Sequence, residues 1–297
     1  MISSFDFQLN PDAPVAPAVL ALATSGPWCS VGLRWHDRGA GSAAALRTAC
    51  ASEPAGQTHS QRLLPMAHAL LAQAGLTLAD VGLIGFDAGP GSFTGLRIGC
   101  GLAQGLALGI GCPVVAVSGL QALAWVHRGC AVISATDARM GEVYFASWSA
   151  SSALVGDAPD EGGLAVGPPA RLEAVMAAFA AAQSPHEDRR PADGIRSAVG
   201  SSAAPEDSAT AARVRWVAAG DAFLRYPALA EQALALGASV FPADFPRGDV
   251  IAELAHRAWS RGLAVPADQV APFYVRDKVA LDVDEQRALR AARDSAR

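Results

Sequence analysis

Between Gly85 and Gly111 the chain reads GFDAGPGSFTGLRIGCGLAQGLALGIG, and no other stretch restricts the fold as tightly. The apolar run from Val81 to Phe86 that leads into it reads as a buried strand. Gly89-Pro90-Gly91-Ser92 then supplies turn residues, and Ser92 or Thr94 can cap a helix beginning near Gly95. That helix holds Gly95, Gly99, Gly101, Gly105 and Gly109 in its interior or at its end. Each interior glycine costs roughly 1 kcal/mol relative to alanine, so such a helix is unstable alone and packing must offset the loss. Gly101, Gly105 and Gly109 recur every four residues and lay a side-chain-free stripe along one face. A stripe of this kind lets another helix approach closely, whether from the same chain or from another subunit. The loop lacks the Gly-Lys-Ser/Thr ending of a phosphate-cradling loop, and Arg97 lies in the helix instead. Arg97 and Gln104 also interrupt an apolar stretch shorter than about 20 residues, so no membrane span is expected.

The chain has 297 residues, of which 51% are apolar and 17% charged, enough for one large or two small packed units. Its net charge is −5 and Lys278 is its single lysine, so it has no basic stripe to follow a phosphate backbone and is not expected to bind RNA alone. Five widely spaced cysteines without a C-x-x-C pair read as reduced thiols of a cytoplasmic protein. The N-terminus lacks the basic opening and long apolar run of a signal peptide.

In chain order, residues 1–17 read as an extension. Val19–Ala23 and Cys29–Trp35 read as a hairpin, and a third strand is expected within Gly39–Gly56. An amphipathic helix runs from His59 to Ala74, with a kink or late start expected at Pro65. Strand Pro113–Val117 and helix Gly119–His127 complete a first α/β unit. Val132–Thr136, a turn at Asp137–Gly141 and strand Glu142–Trp148 then repeat the opening hairpin. Helices are expected at Arg171–Ala182 and Asp249–Gly262, and a strand at Val214–Ala218. Residues 183–213 are poor in apolar side chains and read as a disordered insertion. A duplicated hairpin followed each time by α/β elements suggests the actin/hexokinase/Hsp70-like fold with two α/β subdomains. Their expected extents are 18–117, joined by about 269–281, and 118–268, with 282–297 as a terminal extension.

GPGSFTGLRIGCGLAQGLALG closely resembles the signature of the TsaB (YeaZ) family. HSQRLLPM (His59 to Met66), DARMGEVYFA (Asp137 to Ala146) and APFYVRDKVA (Ala271 to Ala280) resemble the family's other landmarks, in its order. The resemblance implies the same duplicated fold and a non-catalytic subunit. Such a subunit stabilises a TsaD-like catalytic partner that, with a TsaE-like ATPase, transfers threonylcarbamoyl to an adenosine of tRNA. It also implies tRNA contact only through the complex, self-pairing when alone, no cofactor for the isolated chain, and ATP or ADP only in the assembled complex. The expected interface combines Arg62, Leu63, Met66 and Leu70 with Gly95, Arg97, Gly99, Gly101, Gly105 and Gly109.

The fold class also directs attention to a nucleotide cleft. Hairpin turns in this superfamily usually carry an acid that holds hydrated Mg²⁺, but the first turn here reads Ala23-Thr24-Ser25. Asp137 in the second turn stands near Arg139, and this pair reads either as a local ion pair or as a phosphate contact. Thr24, Gly220 and Asp221 complete the set expected near a nucleotide. The TsaD-like relatives hold a metal through histidines four apart on a helix; none of His36, His59, His68, His127, His186 and His256 has that spacing. The competing reading is an independent ATPase or small-molecule kinase, which would need an acid at Ala23.

Overall fold

The computed structural model describes residues 17–37, 45–54, 56, 58–155, 163–183 and 216–275. The expected insertion, apart from Gln183, and both expected extensions, apart from Pro17, lie outside the described residues. The first half runs β1 Ala18–Ala23, β2 Trp28–His36, β3 Leu46–Pro54, α1 His59–Gln73, β4 Val81–Gly89, α2 Phe93–Ile110, β5 Val114–Ser118 and α3 Gly119–Val126. The second runs β6 Val132–Arg139, β7 Glu142–Trp148, α4 Ala150–Val155, β8 Ala165–Gly167, α5 Pro169–Ala182, β9 Trp216–Ala219, α6 Ala222–Arg225, α7 Pro227–Ala235, β10 Ala238–Phe241 and α8 Gly248–Ser260.

The repeat read in the hairpins extends through two whole sheets. One has the order β3-β2-β1-β4-β5 and the other β8-β7-β6-β9-β10. In each, the first three strands in sequence pair antiparallel and the last two add in parallel beside the first. Parallel neighbours need long crossovers, which the helices between them supply.

Side chains in β1 alternate between two cores, as the period of two requires. Leu20 and Leu22 join Leu63, Met66, Ala67 and Leu70 of α1 and Cys100, Ala103 and Ala107 of α2. Val19, Ala21 and Ala23 instead meet Ile251, Ala252, Leu254 and Ala255 of α8. The helix α3 belongs to both halves: Ala122 and Trp125 pack in that second core, while Leu120, Leu123 and Ala124 pack on the β6 sheet. This explains why α3 is apolar nearly all round.

Several elements depart from expectation. The helix α1 begins at His59 rather than after Pro65. Pro65 sits on its exposed face, where the carbonyl that proline leaves unbonded can be hydrated. Strand β6 runs on to Arg139, so the turn narrows to Met140 and Gly141, with positive φ at Arg139, Met140 and Gly141. The short elements β8, β10, α4, α6 and α7 carried too little periodic signal to be read.

Helix α8 follows the second sheet in sequence yet packs on the first. A Cβ on Gly32 of β2 would fall on the backbone of Gly248, and one on Gly248 would fall on the backbone of Val31 and Gly32. The Gly248 amide donates to Ser30 Oγ at 2.9 Å. Farther along, a Cβ on Gly85 would come within 2.7 Å of the Ala255 methyl. The backbone atoms facing Gly32 cannot rotate away, so Gly32→Ala should lower stability by about 1–3 kcal/mol or more. The denaturant midpoint measures this, and an unchanged midpoint would show that α8 can lift off β2 at no cost.

Candidate functional site

The first turn of α2 is locked to the β1–β2 turn. Ser92 caps the helix, accepting from the Gly95 amide at 3.3 Å, and its own amide donates to Ser25 O at 2.6 Å. Thr24 Oγ1 donates to Gly95 O at 2.8 Å. A Cβ on Gly95 would collide with Thr24 O, one on Gly91 with Ser25 O, and one on Gly99 would lie 2.6 Å from Thr24 Oγ1. Gly95 and Gly99, expected at an interface, are buried, and Thr24, expected near a nucleotide, is only 1% exposed and holds this helix.

The stripe behaves differently. A Cβ on Gly101, Gly105 or Gly109 would have no neighbouring atom within 4 Å among the described residues, and all three glycines are exposed. Leu108 beside them is 67% exposed, and Arg97 lies over the half-exposed Phe93 ring at 3.9 Å. Of the two packing readings left open by the sequence, packing within the chain therefore does not hold for this row among the described residues. By length and composition α2, at 18 residues, meets the minimum for a membrane span. Its opposite face nevertheless buries Leu96, Cys100, Ala103 and Ala107 on the sheet.

On α1 the expected interface residues divide. Arg62 is exposed and ion-paired with Glu53, Nη2 to Oε2 at 2.7 Å, a surface pair of small energetic weight. Leu63, Met66 and Leu70 are at most 9% exposed and belong to the core. Their helical spacing marks the buried stripe of the helix, so their expected place in an interface is corrected. The exposed face carries Gln61, Leu64, Pro65 and His68.

A cleft of about 840 Å³ opens where the two duplicated turns and the N-terminus of α2 converge. Asp137, Arg139 and Asp221 line it together with Ser25, Ser92 and Phe273. Asp137 Oδ1 accepts the Arg139 amide at 3.0 Å, and its Oδ2 lies 3.4 Å from Arg139 Nη1. Asp221 Oδ1 accepts the Asp137 amide at 3.0 Å, and burial raises the Asp221 carboxyl above the usual range. Gly220 does not line the cleft; at φ +115° it turns the chain into Asp221, and a Cβ there would strike Ala135 O. The two carboxylates could hold a hydrated cation, and Arg139 with the amide end of α2 could face a phosphate.

Asp87 was missed by reading the strand as ending at Phe86. It lies two residues before the end of β4, beside Ser25, and is 1% exposed. An acid directly after an apolar run and before a Gly-Pro-Gly loop was the available signal. The Gly89 amide donates to Oδ1 at 3.0 Å, while Oδ2 has no partner among the described residues. Burial pushes this carboxyl up to about 6, against the pull of the Ser25 hydroxyl and the Gly89 and Ser25 amides. The folded chain thus holds this proton more tightly than the unfolded one, whose carboxyl titrates near 3.8. The resulting stability is complete below the unfolded value and is lost as pH rises through about 6. Asp87→Asn, isosteric and always neutral, should gain on the order of 2 kcal/mol over the parent above that range and little below it. Urea midpoints of both proteins across the range measure the difference, and one that does not vary with pH would disprove the assignment.

A family model described as TsaD: tRNA N6-adenosine threonylcarbamoyltransferase matches residues 52–212. The tRNA threonylcarbamoyladenosine biosynthesis protein TsaB of Escherichia coli (strain K12) is 44% identical over 134 residues, 44% of this chain and 54% of that protein. TsaB of Haemophilus influenzae is 45% identical over 131 residues, 43% of this chain and 52% of that protein. The chain thus spans about half the length of the curated relatives it matches. The solved structure named YeaZ from Pseudomonas aeruginosa is 32% identical with a TM-score of 0.61, covering 87% of this chain and 99% of that one. The family match over more than half of the chain, the YeaZ match over nearly all of it, and the duplicated sheets together show that this chain belongs to the TsaB (YeaZ) branch of the TsaD family, with its actin/hexokinase/Hsp70-like α/β fold.

Proposed function

We propose that this chain is a non-catalytic partner subunit that binds and stabilises a TsaD-like catalytic subunit. Together with a TsaE-like ATPase, the pair would transfer threonylcarbamoyl to the adenosine next to the anticodon of tRNAs in the cytoplasm. The observation that carries the reading is the open row Gly101, Gly105 and Gly109, which combines helix-breaking residues with no packing neighbour among the described residues. Three exposed glycines cost a helix roughly 3 kcal/mol in total relative to alanine, a loss that close approach by another surface would help to offset. The proposed interface is this row with Arg97 of α2 and the exposed side of α1 at Arg62. Two copies of the chain would cover the same row when the partner is absent, since a two-fold contact reuses one surface. With a net charge of −5 and one lysine, the chain reaches tRNA only through the complex.

The independent ATPase or kinase is the weaker reading. Ala23 brings no acid to the first turn, Thr24 is committed to α2, and Asp137 is committed to its own turn and to Arg139. ATP or ADP in the cleft would therefore belong to the assembled complex. Purified chain should show no ATP hydrolysis above a buffer blank; turnover abolished by Asp137→Asn would restore the enzyme reading.

Gly101→Leu or Gly105→Leu tests the interface. Either change improves helix propensity by up to roughly 1 kcal/mol, so the chain should stay folded with an unchanged or higher melting temperature. Association with the TsaD-like subunit, followed by light scattering, should weaken about tenfold or more, because overpacking costs typically 1–3 kcal/mol. A folded variant that binds its partner as tightly as the parent would overturn the proposal.

A further inference from the structure

A second cleft, of about 410 Å³, lies where the outer part of α8 passes the end of β2, and it shares no residue with the cleft between the duplicated turns. Arg34 of β2 lines it together with Glu253, His256, Arg257 and Ser260 of α8 and the following Arg261. The helical positions fall at intervals of three and four, which gathers them on one face. Three guanidinium groups against one carboxylate give this small area a formal excess of two positive charges, within a chain whose net charge is −5.

Glu253 uses both oxygens on the arginines: Oε2 accepts from Arg34 Nε at 3.0 Å and Oε1 from Arg257 Nε at 2.8 Å. The two arginines pull its carboxyl below the usual range despite burial, so it is ionised and already counted in that excess. What remains is unusual. The Arg34 side chain is 9% exposed, and its Nη1 is buried without a hydrogen-bond partner among the described residues. His256 Nε2, from another residue lining the same cleft, is likewise buried without one. Burial, and next the Arg34 charge, hold His256 below its ordinary value, which keeps the ring neutral and able to present Nε2 as a donor or an acceptor. A buried charged donor without an acceptor is expensive, whereas an oxyanion accepts from several guanidinium N–H groups at once.

We propose that this cleft binds a small phosphate-type oxyanion, held by Arg34, Arg257 and Arg261 with His256 beside them. The class is a tetrahedral, multiply charged anion, either free inorganic phosphate or the phosphate of a mononucleotide. The planar forks of three arginines suit its several oxygens, and Glu253 sets the limit on affinity by competing for two of them. The inference is independent of the glycine stripe and of any partner subunit.

Titration calorimetry on the full chain with inorganic phosphate, and in a separate arm with AMP, tests it. Saturable millimolar or tighter binding of phosphate is expected, and AMP that competes with it identifies the nucleotide as a source of the same group. Arg261→Gln, at an exposed position that leaves the fold intact, should weaken binding several-fold, and Arg257→Gln about tenfold. Glu253→Gln should strengthen it several-fold, an opposite sign that general loosening of the fold cannot produce. Absence of saturable binding by the parent chain would overturn the proposal. So would affinities equal to the parent's in the three variants at Arg257, Arg261 and Glu253.

Discussion

The structure depends on backbone meeting backbone at the start of α2. Gly91, Gly95 and Gly99 remove every side chain that would stand between this helix and the β1–β2 turn. The space is filled by the Thr24 hydroxyl on Gly95 O and by the Ser92 amide on Ser25 O. This contact fixes the rotation of α2 about its own axis. Once the rotation is set, Cys100, Ala103 and Ala107 must face the sheet, and Gly101, Gly105 and Gly109 must face outward. One wall of the cleft and the open row are thus two consequences of the same docking.

Duplication explains why the cleft exists, and divergence explains its asymmetry. Both sheets place a hairpin turn at the end of their first strand, so packing the halves through α3 and α8 sets the two turns across a common opening. The first turn has been absorbed into structure, with Ala23 in the core and Thr24 on α2. The second keeps Asp137 and Arg139 at the opening, with Asp221 delivered from the end of β9 by the positive φ of Gly220. Charge thus survives on one side of the cleft alone among the hairpin turns described.

Several polar groups are buried at a cost to the fold. Asp87 sits below the first turn with one oxygen unpartnered, and Arg34 keeps an unpartnered nitrogen beside α8. Both lie where a helix or loop approaches unusually closely: Asp87 beside Gly119 and Arg34 on the strand that carries Gly32. Close approach excludes water, which raises the cost of leaving such groups unpaired.

The strand-turn-strand repeat, the long helices α1, α2, α5 and α8, and a hydroxyl cap at Ser92 or Thr94 were legible in the sequence, and the structure uses Ser92. Each rests on local chemistry: period-two or period-3.6 burial, turn residues and an N-cap hydroxyl. The elements that were not legible, β8, β10, α4, α6 and α7, are short and take their stability from neighbours rather than from their own pattern. The site was legible by half. At about 100° per residue, the row of Gly95 and Gly99 is centred roughly 100° around the helix from the row of Gly101, Gly105 and Gly109, so the five glycines formed two neighbouring rows rather than one stripe. The sequence by itself therefore determined that α2 could be approached closely from two sides. Only the tertiary structure decided that Gly95 and Gly99 take the hairpin turn while Gly101, Gly105 and Gly109 stay open, because a glycine has no side chain whose chemistry could declare which row meets its own chain. The same holds for α1, where spacing marked Leu63, Met66 and Leu70 as one apolar face and packing alone assigned that face to the core.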